Sequence, residues 1–180
     1  FISSVLHGNH GFFYGREDAF KDVGFDQVFF TKEMVEEGTP LYKEYVLDED
    51  TFQFGLKKFS APKNLQFIIT MTSHGPWDYQ PEDKNEIYSQ PKNSIENYFN
   101  AIRYLDNSLK NYVEGLPDNT IIFMFGDHVS AQKYENHELG VVPFLVYQKG
   151  QVLRFSNKAE QQKALSGELL RSDLIGGIYK

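Results

Sequence analysis

Thr120-Ile121-Ile122-Phe123-Met124-Phe125-Gly126-Asp127-His128 is the stretch on which the fold turns. Five consecutive apolar residues, rich in β-branched and aromatic side chains, read as a strand buried on both faces. Gly126 ends the run, and Asp127 and His128 stand together where the chain leaves the sheet. Open α/β sheets bind ligands outside the carboxyl ends of their strands. A carboxylate oxygen and an imidazole nitrogen are both donors to a divalent metal. The pair therefore reads as chemistry held at the tip of a rigid strand, or alternatively as a turn with a helix cap.

A second stretch repeats the layout. Leu65-Gln66-Phe67-Ile68-Ile69-Thr70-Met71-Thr72 is a strand, and Ser73-His74-Gly75-Pro76-Trp77 follows it. If the two strands are parallel neighbours, His74 and His128 face one crevice. Between them, Ile95, Tyr98, Phe99, Ile102, Leu105, Leu109, Tyr112 and Val113 form one stripe at helical spacing. Ser94 reads as the N-cap, and Gly115 and Pro117 stop the helix. Such a helix is the crossover of a βαβ unit.

Toward the start, Phe1 to Leu6 reads as a strand, followed by the loop His7-Gly8-Asn9-His10-Gly11. His7 and His10 are candidate metal contacts or structural histidines. Arg16, beside Phe12, Phe13 and Tyr14, is a candidate phosphate clamp, since guanidinium binds phosphate bidentately. The plainer reading pairs it with Glu17 or Asp18. A short helix over Glu17 to Lys21 ends near Gly24, and Phe25 to Phe30 is a short strand. Charge and Gly38-Thr39-Pro40 make residues 31 to 47 a loop. Asp48 then reads as an N-cap, with Phe52, Leu56 and Phe59 at helical spacing and Gly55 weakening the helix. Asp78 to Gln90 is a long polar loop, and Val141 to Tyr147 is a last strand preceded by the loop residue His137. Leu169, Leu170, Leu174 and Ile175 suggest a short terminal helix.

The 180 residues suit one domain or a large piece of one, and 16 Phe with 11 Tyr supply a sizeable core. A net charge of −7 argues against nucleic acid. The absence of cysteine removes disulfides, thiol catalysis and zinc–thiolate sites. There is no run of about 18 apolar residues to span a membrane. The opening inside a β pattern predicts a piece cut from a longer chain.

Three stretches together carry a resemblance: His7-Gly8-Asn9 through Phe13-Tyr14-Gly15-Arg16; Thr72-Ser73-His74-Gly75-Pro76-Trp77; and Tyr98-Phe99-Asn100-Ala101-Ile102-Arg103-Tyr104-Leu105-Asp106 running on to Phe125-Gly126-Asp127-His128. In this order and at these separations the chain resembles the lipoteichoic acid synthase and phosphoglycerol transferase family, within the alkaline phosphatase/sulfatase superfamily. The resemblance implies an α/β three-layer sandwich with a central mixed, mostly parallel sheet, incomplete here. Residues 1–180 would be the C-terminal portion of the catalytic domain.

By the same resemblance Asp127 and His128 are metal ligands, and the metal is usually Mn2+, with Zn2+, Mg2+ or Ca2+ as alternatives. Arg16 and His74 hold the substrate phosphate. Tyr14 stands where an aromatic, commonly Trp, lies. The nucleophilic threonine and an acidic ligand belong upstream, so no catalytic nucleophile is expected in this chain. The implied reaction is double displacement at phosphorus. The donor would be a phospholipid head group such as phosphatidylglycerol, and the acceptor a glycan or glycerol phosphate. The implied location is the extracytoplasmic face of a bacterial membrane, reached through upstream segments. The rival readings are a sulfatase or phosphodiesterase of the same superfamily, and a binding domain without turnover.

Overall fold

The computed structural model describes residues 2–59, 63–77, 86–129 and 142–150, in two units that divide between Gly115 and Leu116. In the first unit, β1 (Ile2–His7) is the central strand of a parallel three-stranded sheet, flanked by β2 (Gln27–Phe29) and β3 (Asn64–Ile69). The register sets Val5 opposite Phe67 and His7 opposite Ile69. Ser4 to His7 are all buried, as a central strand covered on both faces requires.

Alternation along the strands sends successive side chains to opposite faces. Leu6 joins Met34, Val46 and Phe54 in the core, with Phe29 and Ile68 packed against them. This face is covered by α3 (Asp48–Lys58). Its Gly55 comes so close that an added Cβ would lie 3.2 Å from Gln66 Oε1 and 3.4 Å from Leu6 Cδ2. The glycine that weakens the helix locally is thus what lets helix and sheet approach. On the other face, Phe20 of α1 (Arg16–Val23) meets Phe67 edge-on at 6.1 Å. Helices on both faces of a parallel sheet make the α/β layering expected from the sequence.

The long helix α4 (Ser94–Gly115) packs on α3 through the Phe52–Tyr112 stack at 4.9 Å. Tyr112 also donates its hydroxyl to Gln66 Oε1 at 2.8 Å. Its cap is Asn93 rather than Ser94: Asn93 Oδ1 accepts the Glu96 amide at 3.0 Å, and Glu96 reaches back to the Lys92 amide.

Three further readings are corrected. Residues 31–47 contain α2 (Thr31–Glu36). The fully buried Met34 anchors it, the Thr31 hydroxyl donates to Gly8 O, and Glu33 accepts the Phe30 amide. A six-residue helix held by tertiary contacts leaves no periodic signal. Asp48 is the first residue of α3 rather than its N-cap, and its carboxylate points elsewhere. The third concerns the second unit, where β4 (Ile121–Phe125) pairs antiparallel with β5 (Phe144–Gln148). Among the described residues of this unit the ladder partner of β4 is β5. No residue of β4 is fully buried, and Phe123 and Phe125 are about half exposed. An unbroken apolar run records what a strand can bury, not what covers it. The Asp78–Gln90 loop is described only from Glu86, where Asn100 holds the Ile87 and Tyr88 amides. His137 and the terminal helix lie outside the described residues. No helix among the described residues is long and apolar enough to cross a membrane.

Candidate active site

Two strand ends build the site of the first unit. At the end of β1, His7 is buried and both ring nitrogens are engaged. Nδ1 lies 3.0 Å from Ile69 O, and Nε2 lies 2.6 Å from Arg16 Nη1. A carbonyl only accepts and a guanidinium only donates, so the tautomer follows: Nδ1 carries the proton and Nε2 receives Arg16. Burial, with a smaller push from Arg16 and His74, lowers the His7 pKa from 6.5 to about 4. His7 is therefore a neutral imidazole near pH 7. Its lone pair is spent on Arg16, which removes it as a metal ligand in this arrangement.

Gly8 follows, at a point where a Cβ would sit 2.3 Å from Val46 O. Its own carbonyl accepts the Val46 amide at 2.7 Å. The glycine is thus required by a close backbone approach, which keeps the loop after His7 tight against the sheet. Arg16, the first residue of α1, turns back from this loop onto His7. Of the two acidic residues considered for it, Glu17 pairs instead with Lys21 at 2.7 Å. Arg16 also lies over the Tyr14 ring, 5.5 Å from its centroid. Tyr14 is 86% exposed and sits at φ 56°, a left-handed conformation that bulky residues rarely adopt. That backbone presents the ring outward beside the guanidinium. His10 stacks on Phe12 at 5.1 Å.

His74 stands on the turn after β3. Its amide donates to Met71 O at 2.9 Å, and its Nδ1 donates to Gly75 O at 2.6 Å. The exposed imidazole is near enough to His7 to depress that residue's pKa. The far side of the turn is held by Trp77, whose indole donates to Ser73 O at 3.1 Å. Trp77 also meets Tyr98 of α4 edge-on at 5.2 Å, and Asn97 donates to its carbonyl. Arg16, His7 and His74 are thus gathered at the carboxyl edge of the parallel sheet. The fixed cation of Arg16 at this edge suits an oxyanion such as phosphate.

In the second unit, Asp127 and His128 follow β4 and are both exposed, with Asp127 Oδ1 3.7 Å from His128 Nε2. His128 Nδ1 donates to Val129 O at 2.9 Å, which makes Nε2 the lone-pair nitrogen. Imidazoles that bind metals are commonly oriented this way. Two donors on a tetrahedral ion at about 2.1 Å stand roughly 3.4 Å apart, so the pair fits a divalent metal with little movement. Among the described residues no third His, Asp or Glu joins them.

His7 is the residue whose part the sequence concealed. Its place at the last position of a strand directly before glycine was the available signal.

Comparison with known proteins bears on the family and the fold. The Sulfatase family model matches residues 2–172. Lipoteichoic acid synthase 1 of Bacillus subtilis is 29% identical over 147 residues, 76% of this chain and 22% of that protein. Lipoteichoic acid synthase of Staphylococcus aureus (strain USA300) is 26% identical over 150 residues, again 76% of this chain and 22% of that protein. The chain therefore spans about a fifth of the length of these relatives. Among solved structures, the lipoteichoic acid synthase LtaP from Listeria monocytogenes matches with a TM-score of 0.67 and 23% identity, over 84% of this chain and 44% of that one. The Streptococcus pyogenes phosphoglycerol transferase GacH, in complex with sn-glycerol-1-phosphate, matches with a TM-score of 0.63 and 14% identity, over 92% of this chain and 49% of that one. These two likenesses speak for the alkaline phosphatase-like α/β fold.

Proposed function

The chain belongs to the sulfatase family, and on that premise we propose that it is the C-terminal portion of the catalytic domain of a phosphoglycerol transferase. The observation that carries this reading is the Arg16 guanidinium, bonded to neutral His7 and set beside Tyr14. It offers the phosphate of a glycerol-phosphate head group a fixed positive charge next to an exposed aromatic ring. Because His7 accepts from Arg16 while its other nitrogen holds Ile69 O, the guanidinium is oriented before substrate arrives. Such preorganisation suits phosphoryl transfer, where position and electrostatics supply most of the catalysis. His74 would donate to the same oxygens from the neighbouring strand end when Nε2 carries a proton as well as Nδ1.

Asp127 and His128 would contribute two donors to a divalent cation, with manganese our choice. When bound, it would ease ionisation of a hydroxyl nucleophile and neutralise charge on the phosphoryl oxygens. The nucleophile is a threonine outside this chain. Its oxygen forms the bond to phosphorus as the lipid alkoxide leaves with the bonding pair. An acceptor hydroxyl on a glycan or glycerol phosphate then displaces the threonine. Arg16 and His74 hold the non-bridging oxygens through both steps. The donor is a phospholipid such as phosphatidylglycerol, and the site of action is the extracytoplasmic face of a bacterial membrane. The 76% of the chain that aligns with lipoteichoic acid synthases supports this choice.

The test is binding of sn-glycerol-1-phosphate to the chain, followed by calorimetry and by backbone NMR. Arg16→Ala should weaken binding about tenfold or more, the scale of one charge-assisted hydrogen bond, with the unfolding midpoint nearly unchanged. Equal affinity in wild type and variant, or perturbed resonances remote from Arg16 and His74, would refute the reading.

A further inference from the structure

We infer that Asp48 is a positioning residue for the candidate site: its buried carboxylate binds two consecutive amides and thereby ends β3 so that His74 reaches the sheet edge. The inference rests on the reading of His74 as a phosphate contact.

Asp48 is 1% exposed and opens α3. Its Oδ1 accepts the Met71 amide at 2.6 Å, and its Oδ2 accepts the Thr72 amide at 3.1 Å. The Asp48 amide, one of those left without a partner at a helix start, donates to Thr72 Oγ1 at 3.4 Å. In a regular strand, successive N–H groups point to opposite edges, one toward each neighbour. At Met71 and Thr72 both point to one carboxylate, which the pleat forbids. The strand therefore ends at Ile69, and the chain turns so that the His74 amide meets Met71 O.

Only a carboxylate offers two acceptors at the spacing of adjacent amides. Serine or asparagine in the same place would hold one. Burial pushes the Asp48 carboxyl up to about 6, against the pull of these hydrogen bonds. The group is still ionised near neutral pH, where such bonds are strongest. The arrangement matches that at β1, where His7 grips Ile69 O. The exit of β3 is held from the α3 side by Asp48 and from β1 by His7, while Trp77 and Asn97 tie the turn to α4. His74 is carried between these anchors.

The experiment compares Asp48→Asn with Phe54→Leu, a core variant on the same helix that touches none of the turn. Thr72→Val, which removes only the hydroxyl acceptor, serves as the milder second variant. Amide exchange, the His74 and Trp77 ring resonances and sn-glycerol-1-phosphate affinity are measured on the whole chain. Asp48→Asn should speed exchange at Met71 and Thr72 about tenfold beyond any global change. It should also shift both rings and weaken binding about tenfold. Thr72→Val should move the same readouts in the same direction by less. Phe54→Leu should leave the ring resonances in place at equal loss of stability. If Asp48→Asn and Phe54→Leu behave alike, Asp48 is merely part of the packing and the inference fails. If wild type binds no glycerol phosphate, the ligand reading fails, while exchange and ring resonances still decide the role of Asp48.

Discussion

Acidification should strain the first unit through His7, and the size of the effect can be worked from its contacts. The groups facing it are Arg16 at Nε2, Ile69 O at Nδ1, His74 at a distance and the Phe30 ring edge-on. A proton on Nε2 would expel Arg16 and leave a buried imidazolium beside a guanidinium. The folded pKa is accordingly about 4 against 6.5 unperturbed. Between these values the unfolded chain binds more protons than the folded one. The stability tied to neutral His7 is therefore complete above pH 6.5 and lost as the pH falls toward 4. At about 1.4 kcal/mol per pH unit the loss is roughly 3 kcal/mol.

Asp48 acts with the opposite sign. Its folded pKa is raised from 3.8 to about 6, so its contribution is greatest below 3.8 and declines as the pH rises through 6. That too is worth roughly 3 kcal/mol. The two slopes nearly cancel in wild type, and single variants should separate them. Relative to wild type, His7→Gln should gain about 3 kcal/mol on going from pH 6.5 to 4, and Asp48→Asn should lose about as much. Urea unfolding at a series of pH values measures this. The chain's single tryptophan, Trp77, lies in the turn after β3 and reports on the first unit by fluorescence. Carboxylates common to all three proteins drop out of the differences. Variant curves that run parallel to wild type across the window would refute the assigned tautomer and the buried state of both groups.

Gly8→Ala should cost about 3 kcal/mol or more, because the new Cβ meets Val46 O, a backbone atom that cannot swing aside; an unchanged urea midpoint would overturn the close approach. Asp127→Ala should leave stability within about 0.5 kcal/mol, as expected for an exposed side chain. It should also abolish the weak manganese binding expected of wild type, read by electron paramagnetic resonance of the free ion. Identical titrations of the two proteins would exclude Asp127 as a ligand.

Much of the architecture was legible in the residues themselves. The stripe from Ile95 to Val113 could only be an amphipathic helix, and α4 spans Ser94–Gly115. The apolar runs near Leu6, Ile68 and Phe123 announced strands, since each carries its own evidence in β-branched and aromatic side chains. Glycine after His7 and before Asp127 marked the strand ends where chemistry was sought. Local sequence encodes what a segment can bury and where it must turn.

It does not encode which partner is met. His7 looked like a loop histidine open to metal, and only pairing of β1 with β3 brought Ile69 O to one nitrogen and the folded loop brought Arg16 to the other. Asp48 carried the signature of a helix cap, yet its carboxylate serves amides 23 and 24 residues away. Gly55 read as a flaw in a helix until the sheet was packed against it. The short helix α2 and the antiparallel partner of β4 were likewise settled by long-range contacts. Periodicity and turn chemistry act over a few residues. The tautomer of a buried imidazole and the pairing of a carboxylate depend on groups that only the tertiary fold brings within 3 Å.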